Sequence, residues 1–156
     1  MVTSDPCRRL LHELGAVFIF PYCRQWNGYS CGAEVLRMGV KAITGHSIPR
    51  HDAESVLRCR PNGTYMTTLQ RIFRQYGVQA GRMFKPTRRR VADALRQGQY
   101  VVIDDDRTYS ASHVMILPGH LSAHLVWVAD PMIGLPTIRT YRRVVKSATM
   151  AFAVAA

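Results

Sequence analysis

The chain has 156 residues, of which 47% are hydrophobic, and its 21 Lys and Arg residues against 10 Asp and Glu residues give a net charge of +11. This length buries one sizeable core but not two, and no apolar run approaches the roughly 20 residues that span a bilayer, so we expect a single domain over residues 1–156 with no transmembrane segment. The charge favours an acidic partner, which composition alone does not identify as a peptide, an anionic membrane or nucleic acid.

Residues 1–20 are assigned to an N-terminal extension. Within it, Cys7–Leu14 has the pattern of a short amphipathic helix and VFIF that of an edge strand, unless both lie outside the core. VFIF is too short for a signal peptide and follows acidic residues, so a cytoplasmic location is expected. The four cysteines contain no C-x-x-C pair, which argues against a zinc ribbon or a thioredoxin motif and predicts reduced thiols.

Two helices are predicted next. The first covers residues 31–44, where apolar side chains recur at helical spacing and Gly45 provides the stop. The second is the segment DAESVLRC, which we expect Asp52 to open as a cap after Pro49. Each should bury one face in the core.

Two further helices follow. Thr64 is expected to cap TYMTTLQRIFRQY, whose apolar stripe ends at Gly77. Thr87 is expected to cap TRRRVADALRQ, which ends at Gly98. The basic run 88–90 at the start of this last helix is interpreted as a solvated face.

The second half of the chain changes period. QYVVID, SHVMILPG, HLVWVAD and TIRTYRRVV are short, β-branched segments bounded by Gly, Pro or Asp, which is typical of strands. Because strands adjacent in sequence usually pair, we expect an antiparallel sheet packed on the helical first half, an α+β domain with two layers.

A cysteine at the start of the first helix is the best candidate for a nucleophile. Backbone N–H groups without intrahelical acceptors and the positive end of the helix dipole both favour the thiolate of Cys31. Gly32 is expected to let a substrate backbone come close, and Gln25 offers an N–H donor that reaches the same point. The position alone is weak evidence, because a free cysteine is most often a small buried hydrophobe.

A general base for the thiol is predicted from strand pairing. His113 stands at the start of one predicted strand and Asp130 at the end of the next, and these two ends lie on the same side of an antiparallel pair. If Asp130 accepts a hydrogen bond from one ring nitrogen, the other nitrogen faces Cys31. Ser112, directly before the histidine, is assigned to substrate binding. Alternatively, Asp130 before proline is a turn opener and His113 a strand-end residue.

Five segments together carry a resemblance to a known family. They are Gln25-x5-Cys31-Gly32, GTYMTTLQRIFRQYGV, LRQGQYVVID, Ser112-His113-Val-Met-Ile-Leu-Pro-Gly and Val-Trp-Val-Ala-Asp130-Pro131-Met-Ile-Gly134. In this order and spacing, over residues 20–145, they resemble the bacteriocin-processing cysteine peptidases, papain-like domains that cut leader peptides after a double glycine. The resemblance implies a papain-like fold, with a helical N-terminal half packed on a C-terminal antiparallel sheet.

The resemblance also implies the chemistry. Cys31 is the nucleophile, His113 the general base, Asp130 its orienting group and Gln25 the oxyanion donor, with no metal or organic cofactor. The expected partners are a peptide or protein substrate, in particular an acidic leader peptide, and a separate transporter, whereas nucleic acid is not the expected partner. Two alternatives stay open: an acyltransferase or effector that acts on host proteins with the same residues, and an inactive basic binding module.

Three features depart from that family or stand outside its motifs. Ser30 occupies the position directly before the cysteine, where the family usually has an acidic residue. The run Asp104–Asp106 fits no known calcium loop and is interpreted as a solvated turn. The remaining histidines lack ligand spacing and are interpreted as structural or surface residues: His12, His46, His51, His120 and His124.

Overall fold

Three helices form the first half of the chain in the structure, a computed structural model that describes residues 19–61, 63–105 and 113–156. They are α1 (Cys31–Thr44), α2 (Arg50–Leu57) and α3 (Met66–Gln75). The first ends as predicted, because Gly45 adopts a left-handed conformation with φ 76° and donates its N–H to Lys41 O at 3.0 Å. The predicted boundaries 31–44 are confirmed.

The predicted starts of the next two helices are wrong. In α2 the chain enters the helix two residues before Asp52, with Pro49 at the N-cap position, where its fixed φ suits the helix start. In α3 the N-cap position is held by Tyr65, and Thr64 is buried instead of capping. The cap of α4 (Arg88–Arg96) is as predicted, because Thr87 Oγ1 accepts a hydrogen bond from Arg90 N at 3.2 Å.

A six-stranded antiparallel sheet forms the second half of the fold. Its strands are β1 (Gln79–Ala80), β2 (Tyr100–Asp105), β3 (Val114–His120), β4 (Leu125–Ala129), β5 (Pro136–Thr140) and β6 (Ala148–Ala155). Their spatial order is β1-β6-β2-β3-β4-β5. The pairs β2–β3, β3–β4 and β4–β5 join strands that are consecutive in sequence, as predicted.

The last part of the sheet differs from the prediction. TIRTYRRVV was expected to be one strand, but β5 ends at Thr140 and α5 (Tyr141–Ser147) follows. Thr140 caps this helix by accepting a hydrogen bond from Arg143 N, and Tyr141 and Val144 are buried at helical spacing. The final strand β6, rich in alanine, was not predicted. It lies between β1 and β2.

Helices cover both faces of the sheet, so the domain has three layers and not the two expected. On one face, α1–α3 bury residues such as Leu36 and Phe73 against Val102 and Ile116. On the other face, α4 and α5 bury their apolar side chains against the alternate strand residues. Because side chains alternate along a strand, the two faces of β2 and β3 take part in two separate cores.

The N-terminal region is described only from residue 19 onward. The predicted helix Cys7–Leu14 and most of VFIF lie outside the described residues, while Phe20 is buried against Tyr22 and Tyr100. Among the helices of the described ranges, none is long and apolar enough to cross a membrane.

Candidate active site

Cys31 is the first residue of α1 and is only 3% exposed. The first hydrogen bond of the helix runs from Glu34 N to Ser30 O at 3.1 Å. The N–H groups of the residues before Glu34 have no acceptor within the helix, so they point their positive ends toward the site. The sequence therefore places the sulfur where a developing negative charge is stabilised.

His113 and Asp130 are brought together by the pairing of β3 with β4. His113 directly precedes β3 and Asp130 directly follows β4, and His113 Nε2 lies 2.7 Å from Asp130 Oδ1. Both residues are buried, at 4% and 1% exposed. Asp105 N, at the end of β2, donates to His113 O at 2.6 Å and fixes the backbone of the histidine. The sequence argument on strand ends predicted this juxtaposition.

The side chain of Cys31 is among the groups that raise the pKa of His113, so it lies close to the imidazole. Burial lowers the pKa of His113, but the hydrogen bonds with Asp130 and Cys31 and the charges of both groups outweigh it and raise the pKa to about 9. Because Nε2 faces the aspartate, Nδ1 is the nitrogen available to the sulfur. Side chains from three distant segments thus come together, and His113 and Asp130 are joined by a hydrogen bond of 2.7 Å.

Asp130 is held from several directions. Its Oδ1 also accepts a hydrogen bond from Met132 N at 3.0 Å, and its Oδ2 lies 2.6 Å from a guanidinium nitrogen of Arg139 in β5. Burial raises the pKa of Asp130, but the hydrogen bond and charge of His113, the Met132 N–H and the charge of Arg139 together lower it to about 2. The carboxylate is therefore an acceptor over the whole neutral range.

Gln25 is fixed beside the turn that follows Asp130. Its backbone N–H donates to Pro131 O at 2.8 Å, and its Nε2 donates to Asn27 O at 2.8 Å. A Cβ on Gly134 would come 2.5 Å from Arg24 Cβ, so the two loops are in close contact. A primary amide carries two N–H bonds, and one of them remains for another acceptor.

The two residues assigned to substrate contact have different outcomes. Gly32 is buried in α1, and a Cβ at this position would lie 2.8 Å from both Cβ and Oγ1 of Thr64. The glycine is thus required by helix packing, which differs from the expected approach of a substrate backbone. Ser112 lies outside the described residues.

The acidic run before His113 is not the solvated turn expected from sequence. Asp104 and Asp105 belong to β2 and are 9% and 1% exposed, while Asp106 lies outside the described residues. Asp105 Oδ2 lies 3.9 Å from Arg139 NH1. A buried carboxylate needs a partner to offset desolvation, and Arg139 supplies a positive charge between two of them. Sequence reasoning did not assign any role to this arginine.

The remaining histidines do not form a metal site in the described part of the chain, where no cluster of three or more potential ligands occurs. His46, His51 and His124 are exposed, and His120 Nδ1 is 2.9 Å from the hydroxyl of Tyr141. His12 lies outside the described residues.

A groove of ≈ 720 Å³ lies between α2 and α3. Its lining includes the exposed side chains of Arg58, Arg60 and Arg71, none of which forms an ion pair within the described ranges. Thr64 also lines the groove and packs on Gly32, which brings the groove wall to the residue after the candidate nucleophile. The charge of this wall suits an acidic ligand.

No protein-family model and no curated protein match this chain. Solved structures do match. The peptidase domain of Streptococcus ComA, a bifunctional ABC transporter involved in a quorum-sensing pathway, aligns with a TM-score of 0.73 and 16% identity, covering 87% of this chain and 98% of that domain. A double glycine motif protease from an AMS/PCAT transporter, solved in complex with the leader peptide, aligns with a TM-score of 0.70 and 15% identity. This alignment covers 87% of the present chain and 91% of that protease.

The chain has the fold of these peptidase domains. A second structure of this kind, the peptidase domain of Streptococcus mutans ComA, aligns with a TM-score of 0.63 and 14% identity over 88% of this chain and all of that domain. The likeness confirms the expected α+β peptidase fold.

Proposed function

We propose that this protein is a cysteine endopeptidase that removes a leader peptide at a double-glycine-like site. The observation that carries the proposal is the hydrogen bond of 2.7 Å between His113 and Asp130, together with the Cys31 side chain close enough to raise the pKa of His113. A nucleophile, a base in contact with it and a group that orients the base are the three parts that thiol catalysis requires. The peptidase fold and the leader peptide bound by one of its structural neighbours support the same reaction.

The reaction proceeds in two steps. Cys31 Sγ attacks the scissile carbonyl carbon, the imidazolium of His113 donates its proton to the leaving amine, and the C–N bond breaks to leave a thioester. Water then attacks the thioester carbonyl while His113 takes its proton. The C–S bond breaks, which releases the carboxylate of the leader and restores Cys31.

The oxyanion of each tetrahedral intermediate requires donors. The backbone N–H of Cys31 has no acceptor within α1, and Gln25 Nε2, which donates one N–H to Asn27 O, has a second N–H to offer the oxyanion. Asp130 keeps the histidine in the tautomer that presents Nδ1 to the sulfur. The side chains named here suffice for this mechanism.

The expected substrate is a peptide with an acidic leader. The arginines of the α2–α3 groove supply the complementary charge, and the groove wall reaches the residue after the nucleophile. A separate transporter, predicted from the sequence, remains a prediction.

Peptide cleavage tests the proposal. Wild type and Cys31→Ala are incubated with peptides that join an acidic leader to a cargo through Gly-Gly, with Cys23→Ala, which lacks a different free thiol, as the matched control. We expect cleavage after Gly-Gly by wild type and Cys23→Ala and none by Cys31→Ala, read by mass spectrometry. Replacing the leader carboxylates by amides should raise KM, and added salt should weaken the preference for the acidic leader.

Three outcomes would contradict this assignment. Cleavage by Cys31→Ala would exclude the sulfur as the nucleophile. A leader product that carries the mass of another acceptor, in place of water, would assign acyl transfer. Equal KM for acidic and amidated leaders would remove the groove from substrate recognition.

A further inference from the structure

Arg139 occupies an unusual position for an arginine in a strand. Its side chain is only 10% exposed, and its NH2 group lies 2.6 Å from Asp130 Oδ2. Its NH1 group lies 3.9 Å from Asp105 Oδ2 and 3.1 Å from Met115 Sδ. The guanidinium therefore spans two carboxylates from β2 and from the end of β4.

The contacts of Asp130 are divided between its two oxygens. Oδ1 accepts from His113 and from the Met132 N–H, and Oδ2 pairs with Arg139. A carboxylate turns easily about its terminal torsion, so a contact on one oxygen alone leaves the other free to exchange with it. With both oxygens held, the hydrogen bond to His113 has a fixed direction.

From this geometry we infer that Arg139 is a positioning residue, which fixes Asp130 so that Oδ1 is directed at His113. The inference rests on the proposed function, because it gives the arginine a role in orienting the base of that reaction. Arg139 pairs with Asp130, so its effect on His113 is transmitted through that carboxylate.

The charges in this region alternate along the chain of contacts. Cys31 lies close enough to His113 to raise its pKa, His113 contacts Asp130, Asp130 pairs with Arg139, and Arg139 faces Asp105. Without the arginine, the two buried carboxylates of Asp105 and Asp130 would lose the positive charge that lies between them. A buried network of this kind stabilises only when every member has its partner.

The test compares three variants. Arg139→Gln removes the charge, and Arg139→Lys keeps the charge but replaces the planar guanidinium by a single ammonium group. Arg143→Gln is the control, because it makes the same chemical change at an exposed site of α5. We expect kcat/KM for the Gly-Gly peptide to fall about 10-fold to 100-fold in Arg139→Gln, and less in Arg139→Lys, because a misdirected base slows the reaction. Arg143→Gln should match wild type.

Two readouts separate positioning from a purely structural role. The first is the titration of His113 followed by NMR, which needs no substrate. The hydrogen bond with Asp130 is the largest cause that raises the pKa of His113, so its misdirection should lower this pKa by about half a pH unit to one pH unit in Arg139→Gln, and less in Arg139→Lys. The second is a double-mutant cycle: in the Asp130→Asn background, Arg139→Gln should add less than about a threefold loss.

Each result decides the inference. An Arg139→Gln variant with the rate and the His113 titration of Arg143→Gln would overturn it, and so would a full additional loss in the Asp130→Asn background. If Arg139→Gln does not fold, an Arg139→Lys variant with wild-type kcat/KM would overturn it equally. If wild type cleaves no peptide while the titration of His113 shifts as expected, the proposed function fails and the positioning of Asp130 stands.

Discussion

The two parts of the candidate site differ in how completely their polar groups are satisfied. One part is the sheet end of the site, where His113, Asp130 and Arg139 meet. There, Asp130 has partners on both oxygens: His113 Nε2 at 2.7 Å, Met132 N at 3.0 Å and the Arg139 guanidinium at 2.6 Å. In the loop before α1, the buried atoms Gln25 Oε1, Asn27 Nδ2 and Ser30 Oγ have no hydrogen-bond partner within the described residues. Burying a polar group without a partner destabilises the fold, so these atoms need a partner that a water molecule or a bound ligand supplies.

This difference suggests a division of labour. In the proposed reaction the sheet end would supply a base that is oriented before the substrate binds, which is the condition for efficient proton transfer. In the proposed reaction the loop would supply donors to the oxyanion, and Asn27 Nδ2 and Ser30 Oγ are two groups there that can donate.

The largest expected effect tests the loop side. Gln25→Ala should lower kcat about 100-fold to 1,000-fold with little change in KM, because it removes a donor that acts on the oxyanion of the transition state. Gln97→Ala, an exposed glutamine at the end of α4, is the matched control. Steady-state kinetics with the Gly-Gly peptide give both constants. A loss of kcat below tenfold would mean that Gln25 does not supply the oxyanion donor. The loop would then not have the role that distinguishes it from the sheet end.

Parts of this site follow from local sequence rules. The helix start at Cys31 was readable from the apolar spacing after it, and the contact between His113 and Asp130 from the rule that paired antiparallel strands bring such ends together. Both depend on elements that are continuous in sequence. Their catalytic roles are proposals that the experiments above test.

Other parts depend on side chains that cross between elements. Arg139 matters because its guanidinium reaches from β5 to the ends of β2 and β4, which no spacing along the chain encodes. Asp104 and Asp105 were interpreted as a turn because charged runs are usually solvated, whereas β2 continues through them. The strand β6 was missed because its alanines have low strand propensity and its pairing is long-range.

The second expected effect tests the sheet end through stability. The pKa of His113 is raised to about 9, so the stabilisation is fully present below its ordinary value of 6.5 and is lost as the pH rises through about 9. The pKa of Asp130 is lowered to about 2, so its contribution is present above its ordinary value of 3.8 and is lost as the pH falls through about 2. Both pKa shifts arise largely from the same interaction between His113 and Asp130, so its contribution to stability is counted once.

The measurement is the free energy of unfolding in urea between pH 5 and pH 10, for wild type and for His113→Gln. The difference between the two proteins should shrink by on the order of 3 kcal/mol across the upper part of this range, since one pKa unit corresponds to about 1.4 kcal/mol. Taking the difference removes the contributions of titrating groups that do not interact with His113. A difference that stays constant with pH would show that the sheet end is not held by a charged imidazole.

The smallest expected effect lies where the nucleophile's helix meets the groove wall. A methyl group added at Gly32 in α1 would come 2.8 Å from Thr64, whereas one added at Gly28, in the loop before α1, would meet nothing within 4 Å. Gly32→Ala should therefore cost about 1–3 kcal/mol of unfolding free energy through overpacking, and Gly28→Ala should change it by less than about 0.5 kcal/mol.

The added Cβ at Gly32 would meet two atoms of Thr64 at 2.8 Å, Oγ1 and Cβ. Thr64→Ala removes Oγ1 and keeps Cβ. The double variant Gly32→Ala, Thr64→Ala should thus recover only part of the lost stability. Gly32→Ala combined with Thr64→Gly should recover more, once the destabilisation caused by Thr64→Gly alone has been subtracted. If Gly32→Ala were as stable as Gly28→Ala, the glycine would not be required by packing. Substrate approach, the role expected from the sequence, would then again be the better explanation for a glycine beside Cys31.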